Sequence, residues 1–189
     1  SPGYIIFDGG SIKSLKFVTD NVNAKFRTAF YLAQGTSNIT IKNVLIEDAN
    51  PSGLCDLPNY MFNAGTSSFE YEADNRSTQS LVKAYTTGIL LRSKVPQDQN
   101  KANPYNLDTL FNTKNRIENN EISGFGYGIV SLGSGVLFRQ GHAKYNRYYN
   151  FNNTYQNNII HDVTRAGIFV GYEQNSTISK NLIYNVTGT

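Results

Sequence analysis

The chain writes one short phrase twice near its end, N-I-I-H-D-V from Asn158 and N-L-I-Y-N-V from Asn181, 23 positions apart. A further copy precedes them: I-E-N-N-E-I-S-G-F at Ile117 to Phe125 aligns with Y-Q-N-N-I-I-H-D-V at Tyr155 to Val163 and I-S-K-N-L-I-Y-N-V at Ile178 to Val186. In each copy an apolar residue stands three positions before an Asn (Asn120, Asn158, Asn181) and an Ile stands two positions after it (Ile122, Ile160, Ile183). Looser versions lie upstream. I-T-I-K-N-V-L-I-E-D from Ile39 keeps the alternating Ile39, Ile41, Val44 and Ile46, with Val44 at the Asn place, and S-I-K-S-L-K-F-V from Ser11 is weaker still.

Between the copies come short apolar runs of a second kind: A-F-Y-L-A from Ala29, G-I-L-L from Gly88, G-I-V-S-L from Gly128 and G-I-F-V-G from Gly167. The order strand, turn, strand therefore recurs with a period near 23. A fixed period of this length without helical spacing predicts a stack of β-coils. One coil cannot bury its own apolar face, whereas stacking coils about 4.8 Å apart pairs their backbones and makes a continuous interior. The recurring Asn has a reason in such a stack. At a tight corner it tolerates left-handed backbone, and its amide can bond the Asn of the next coil.

Composition agrees. Asn is abundant, the chain has 16 Gly, 13 Tyr and 11 Phe, Trp is absent, Met61 is the sole methionine, and long Ala/Leu/Glu/Lys stretches are missing. An all-helical protein is excluded on those grounds.

The phrase I-x-x-N-x-I followed by G-I-x-V resembles the right-handed parallel β-helix repeat of the pectate-lyase-like superfamily, over roughly residues 28 to 49 and 81 to 189, with residues 1 to 20 as a first coil. The resemblance implies an all-β, right-handed parallel β-helix (β-solenoid) with long loop excursions, in one domain over residues 1–189. A period near 23 gives about five or six coils. The 38 positions from Asn120 to Asn158 exceed one coil and place an excursion at 134–152; two more are expected near 50–80 and 94–113. Neither end carries a capping element, so the 189 residues are expected to be part of a longer chain.

Bulk properties narrow the chemistry. Cys55 is the only cysteine, which excludes an intramolecular disulfide and a cysteine-based zinc framework. A net charge of +3 is too weak for a nucleic-acid footprint, and no apolar run is long enough to span a membrane. By the resemblance, and from the scarcity of cysteine and charge, the expected location is secreted or cell-surface.

The residues that could carry function fall in two places. H-A-K-Y-N-R-Y-Y-N-F-N-N-T-Y offers Tyr145, Arg147, Tyr148 and Tyr149 as a sugar-binding set, since rings stack on sugar faces while cations and amides hold hydroxyls; equally, such rings can pack a loop onto the wall. Arg139, His142 and Lys144 are candidates for acid–base work on a uronate. β-Helix lyases abstract a proton beside a carboxylate with a basic residue, and their R-H-G element is similar to Arg139-Gln140-Gly141, with the histidine displaced to 142. The polygalacturonase pattern does not fit, because no Asp-Asp pair exists.

The second place is one coil carrying His161, Asp162, Arg165 and Glu173. A His and a carboxylate on one face could transfer protons, or could simply end a strand. No metal centre or other cofactor is expected. Calcium is possible by resemblance, with E-Y-E-A-D at Glu70 to Asp74 the only dense acidic group. Five N-x-[ST] triplets occur, at Asn38, Asn75, Asn152, Asn175 and Asn185, as an Asn-rich chain produces readily.

Two functions follow: a non-catalytic module of a larger secreted or surface protein, serving as rigid scaffold, adhesin or glycan-binding surface, or a polysaccharide lyase or glycoside hydrolase. The partners considered are an extracellular polysaccharide or glycan and the remainder of a longer polypeptide.

Overall fold

The computed structural model describes residues 3–20, 27–33, 35–51, 54–55, 84–92, 111–133 and 149–188. Its strands, in chain order, are β1 (Ile5–Asp8), β2 (Leu15–Thr19), β3 (Thr28–Ala33), β4 (Ile39–Lys42), β5 (Val44–Asp48), β6 (Leu54–Cys55), β7 (Ala84–Tyr85), β8 (Thr87–Arg92) and β9 (Arg116–Glu118). They continue as β10 (Glu121–Ser123), β11 (Tyr127–Leu132), β12 (Asn150–Phe151), β13 (Thr154–Gln156), β14 (Ile159–Val163), β15 (Ala166–Gly171), β16 (Glu173–Gln174), β17 (Thr177–Ser179) and β18 (Leu182–Val186).

These strands stack by position in the repeat, not by nearness in sequence. The first wall runs β1-β4-β9-β13-β17, the second β2-β5-β10-β14-β18 and the third β3-β8-β11-β15. Every pairing within the three walls is parallel. The chain thus winds through wall one, wall two and wall three and returns one level along: a parallel β-helix. Outside the walls, β12 pairs β16 in parallel, and the two-residue strands β6 and β7 pair antiparallel.

Register puts the repeat's apolar positions in columns. Phe7, Ile41, Ile117, Tyr155 and Ile178 line up in the first wall; Phe17, Ile46, Ile122, Ile160 and Ile183 in the second; Phe30, Ile89, Ile129 and Ile168 in the third. Ile41, Ile89, Ile122, Ile129, Tyr155 and Ile160 are fully buried. Each buried aliphatic stabilises the stack by roughly 1.5–3 kcal/mol, which is why a coil is stable only between neighbours. The first coil differs from the rest. Its three inward residues are all Phe, packed edge to face with centroids 4.5–6.3 Å apart, so rings fill the interior where later coils, Tyr155 apart, use Ile.

The Gly that opens the three later third-wall runs, at Gly88, Gly128 and Gly167, is demanded by this packing. A Cβ on Gly88 would lie 2.6 Å from Ile122 Cγ2, and one on Gly128 would lie 2.4 Å from Ile160 Cγ2. The second-wall isoleucines therefore rest directly on third-wall backbone.

The repeated Asn was expected to combine corner geometry with ladder bonding; the structure divides these jobs between neighbours. Asn120, Asn158 and Asn181 form the ladder. The left-handed backbone falls one residue earlier, at Asn43, Asn119, Asn157 and Lys180, with φ of 53–56°. An acceptor oxygen and a tolerance for positive φ are separate requirements, and in N-N each is met by one residue. Val44 does occupy the ladder position of its coil, donating its N–H to Asn120 Oδ1 at 3.2 Å.

Most of the intervals 50–80, 94–113 and 134–152 lie outside the described residues. At their edges the chain is already in the coil. Thr113 bridges Ser37 and Phe151, and Asn150–Phe151 forms β12.

Candidate functional site

His161 stands on the outer surface of the second wall, in register with Ser123 on one side and Tyr184 on the other. Its ring stacks on Tyr184, centroids 5.0 Å apart and planes 6° from parallel. Nδ1 lies 2.6 Å from Asp162 Oδ2, and Nε2 faces Glu121 Oε1 at 3.6 Å. Glu121 in turn meets Lys13 Nζ at 3.5 Å. Asp162 adopts left-handed backbone (φ 53°), which swings its carboxylate back toward the histidine beside it. There the His161 hydrogen bond, and then that from Asn185 Nδ2 at 3.1 Å, hold the Asp162 carboxyl below its ordinary range.

Both ring nitrogens of His161 therefore oppose carboxylates of the protein itself. A general base needs a nitrogen directed at the proton it removes. Here the histidine instead joins three successive coils, through Glu121 on β10, Asp162 on β14 and Tyr184 on β18.

The two other residues grouped with His161 in the sequence are not beside it. Arg165 lies in the turn before β15. Glu173 lies beyond the far end of that strand, about 20 Å along it at roughly 3.3 Å per residue. Glu173 occupies the position of Asn150 one coil earlier. Its carboxylate accepts hydrogen bonds from Ser131 Oγ (2.5 Å), Ser176 Oγ (2.6 Å), Asn153 Nδ2 (2.8 Å) and Tyr155 OH (3.2 Å). Burial, reinforced by the Glu173 charge, pushes the Tyr155 phenol well above its ordinary pKa. With Ser131 and Tyr155 sealed from solvent, this network ties coils together from inside.

Sequence reasoning missed this network and two more Asn columns. Asn112 and Asn150 form one: Thr36 N–H donates to Asn112 Oδ1 and Asn112 N–H to Asn150 Oδ1, each at 3.1 Å. In the other, Ile39 N–H donates to Asn115 Oδ1 (3.0 Å), Asn115 N–H to Asn153 Oδ1 (2.9 Å) and Asn153 N–H to Ser176 Oγ (2.9 Å). The signal was there in F-N-T-K-N-R-I against Y-N-F-N-N-T-Y and Y-E-Q-N-S-T-I.

Of the loop candidates, Arg139, His142, Lys144, Tyr145, Arg147 and Tyr148 lie outside the described residues, as does the acidic group Glu70 to Asp74. Tyr149 is described: half-buried, its ring tilted 57° to that of Tyr172 with centroids 6.3 Å apart. Among the described residues no group of three or more His, Cys, Asp or Glu side chains could hold a metal ion, and no helix is long and apolar enough to cross a membrane.

Parallel walls, sealed aliphatic columns and amide ladders at the corners define a parallel β-helix repeat protein. Residues 102–189 match the family model described as a right handed beta helix region, so the handedness expected from the repeat holds. No curated protein and no solved structure matches the chain.

Proposed function

We propose that the chain is a non-catalytic β-helix module of a secreted or cell-surface protein, a rigid frame that holds a Tyr- and Arg-rich segment toward an extracellular polysaccharide. The observation that carries this reading is the engagement of His161. The one described histidine holds Asp162 beside it through Nδ1 at 2.6 Å and turns Nε2 toward Glu121 of the preceding coil at 3.6 Å, which is the chemistry of a clamp. The glycan preference rests on composition, since Tyr145, Arg147, Tyr148 and Tyr149 combine sugar-stacking faces with hydroxyl-bonding groups.

Retention of the chain on immobilised polysaccharides, acidic and neutral, tests the glycan part. Retention on at least one, weakened by Tyr148→Ala or Arg147→Ala, is expected. Passage through every column would sink it.

A second reading, a polysaccharide lyase or glycosidase, draws support from Arg139, His142 and Lys144 in the same segment. A lyase leaves products lighter by one water than hydrolysis would, so mass spectrometry of the products separates the two chemistries.

A further inference from the structure

The outer face of the first wall repeats one pattern and breaks it once. Asn38, Lys114, Asn152 and Asn175 stand in one column at the corner before it, all with left-handed backbone (φ 53–58°). The first three donate their N–H to the coil that follows, at Thr113 O, Phe151 O and Gln174 O (3.0–3.2 Å). Two residues further on, Thr40, Arg116, Thr154 and Thr177 lie in register. Their neighbours Ile41, Ile117 and Tyr155 are sealed inside, so strand alternation turns these four outward. Three of the four levels read Asn-x-Thr, and the one in the middle of the stack, with coils on both sides, reads Lys-x-Arg.

The backbone does not ask for this exception. Asn tolerates positive φ better than Lys, so Lys114 holds its place against the local preference, and a residue kept in such a conformation points to a use for its side chain. Lys13 shares that backbone and gives its charge to Glu121 at 3.5 Å, whereas Lys114 is exposed and has no ion-pair partner among the described residues. Arg116 is exposed but steered. Its Nη2 meets Glu118 Oε1 at 2.8 Å, and the same oxygen accepts from Gln156 Nε2 at 2.9 Å, which fixes the half-buried carboxylate. The two cations project from points about 7 Å apart at roughly 3.3 Å per residue, within reach of one anion.

We infer that this level seats an acidic group of the polysaccharide, a carboxylate or sulfate held between Lys114 and Arg116. Asn38 and Thr40 on one side, and Asn152 and Thr154 on the other, bond the hydroxyls of the adjoining sugars. Charge complementarity argues for the anion, and the amides and hydroxyls on both flanks argue for a hydroxyl-rich polymer lying along the stack. The face is continuous with the Tyr- and Arg-rich segment, since Phe151, which accepts the Lys114 N–H, lies two residues past Tyr149. The inference rests on the glycan reading and adds to it the acidity of the glycan and a contact outside that segment.

The test is biolayer interferometry of the full chain against immobilised alginate (carboxylate), heparin (sulfate) and dextran (neutral). The double variant Lys114→Asn/Arg116→Thr takes the residues of the neighbouring coils at both positions, so it keeps the backbone its level needs. Lys16→Thr/Lys180→Asn removes the same charge from other faces and serves as the control. Binding to alginate or heparin is expected, weakened at least tenfold in the first variant and less than threefold in the control, and the matrix that binds names the acidic group. Equal weakening of both variants would reduce the effect to net charge and overturn the inference. Full binding by Lys114→Asn/Arg116→Thr while Tyr148→Ala loses it, or retention on dextran alone, would overturn it and leave the glycan reading standing. No binding of the unaltered chain to any matrix would overturn both.

Discussion

Asn158 directs both its backbone N–H and its side-chain amide to one atom, Oδ1 of Asn181, at 3.0 Å each. Its own Oδ1 receives the same pair of bonds from Asn120, and the amide also reaches Ile117 O at 2.9 Å. Asn158 is sealed from solvent, so no water can replace these partners.

Two neighbouring asparagines should consequently respond in opposite ways. Asn158→Ala strands the Asn120 donors, and with unsatisfied buried groups costing about 1–3 kcal/mol each, a loss of about 3 kcal/mol or more is expected. Asn157, at φ 55° and exposed, is held by its backbone, which donates to Ser179 O at 3.2 Å. Asn157→Gly should be neutral within about 0.5 kcal/mol, because Gly adopts that conformation freely. Urea denaturation of the two variants checks both, and equal losses would contradict the division of labour.

Gly128→Ala should destabilise the fold by roughly 1–3 kcal/mol through overpacking, since the new methyl would meet Ile160 Cγ2 at 2.4 Å and Gly167 O at 2.6 Å. Gly3→Ala, with nothing within 4 Å, is the control and should change the denaturation midpoint little.

Ser131 links two coils by accepting from Asn150 Nδ2 at 3.0 Å and donating to Glu173. One coil earlier Leu91 stands in register with it, and there Asn112 Nδ2 is buried with no partner among the described residues. Ser131→Ala should cost about 1–3 kcal/mol. Ser131→Thr, which keeps the hydroxyl, should recover part of that loss in the same denaturation assay.

Asp8 accepts from Asn43 Nδ2, Gly10 N–H and Lys42 Nζ, and those bonds lower its pKa to about 2. A carboxyl lowered on folding adds stability above its unfolded value of 3.8, and that contribution disappears as pH falls toward 2. Asp162 acts in the same sense, while Asp48, buried beside Arg27 at 3.2 Å and raised by desolvation, acts oppositely. Thermal melts of Asp8→Asn between pH 5 and pH 2 should show a shallower acid-side fall than the unaltered chain. An unchanged slope would contradict the role given to Asp8.

The parts of the fold legible in the sequence are those each coil must satisfy alike. Ile122, Ile160 and Ile183 recur because each of these levels fills the interior with an aliphatic, and Asn120, Asn158 and Asn181 because each gives an oxygen to the amide of the coil before it. The columns at the corner before the first wall were hidden because their members change from coil to coil: Thr36 donates to Asn112 and Asn112 to Asn150, while Ile39 donates to Asn115, Asn115 to Asn153 and Asn153 to Ser176. An Asn amide in one coil and a Ser hydroxyl in the next accept the same backbone hydrogen, so self-similarity fades while the physics persists.

The His161 clamp was half legible. Asp162 is adjacent in sequence, but Glu121 reaches the ring only through stacking, and nothing local marks it. The N-x-T triplets at Asn38, Asn152 and Asn175 also find a structural origin. Each Asn is a left-handed corner residue (φ 53–58°), and Thr40, Thr154 and Thr177 lie in the first-wall strands that follow.

The decisive measurement is prolonged incubation of the chain with acidic and neutral polysaccharides, followed by mass spectrometry of soluble products, with His161→Gln alongside. The account predicts no product that accumulates with time for either protein. Accumulating fragments, above all fragments lost in His161→Gln, would contradict it and make the clamp a catalytic group.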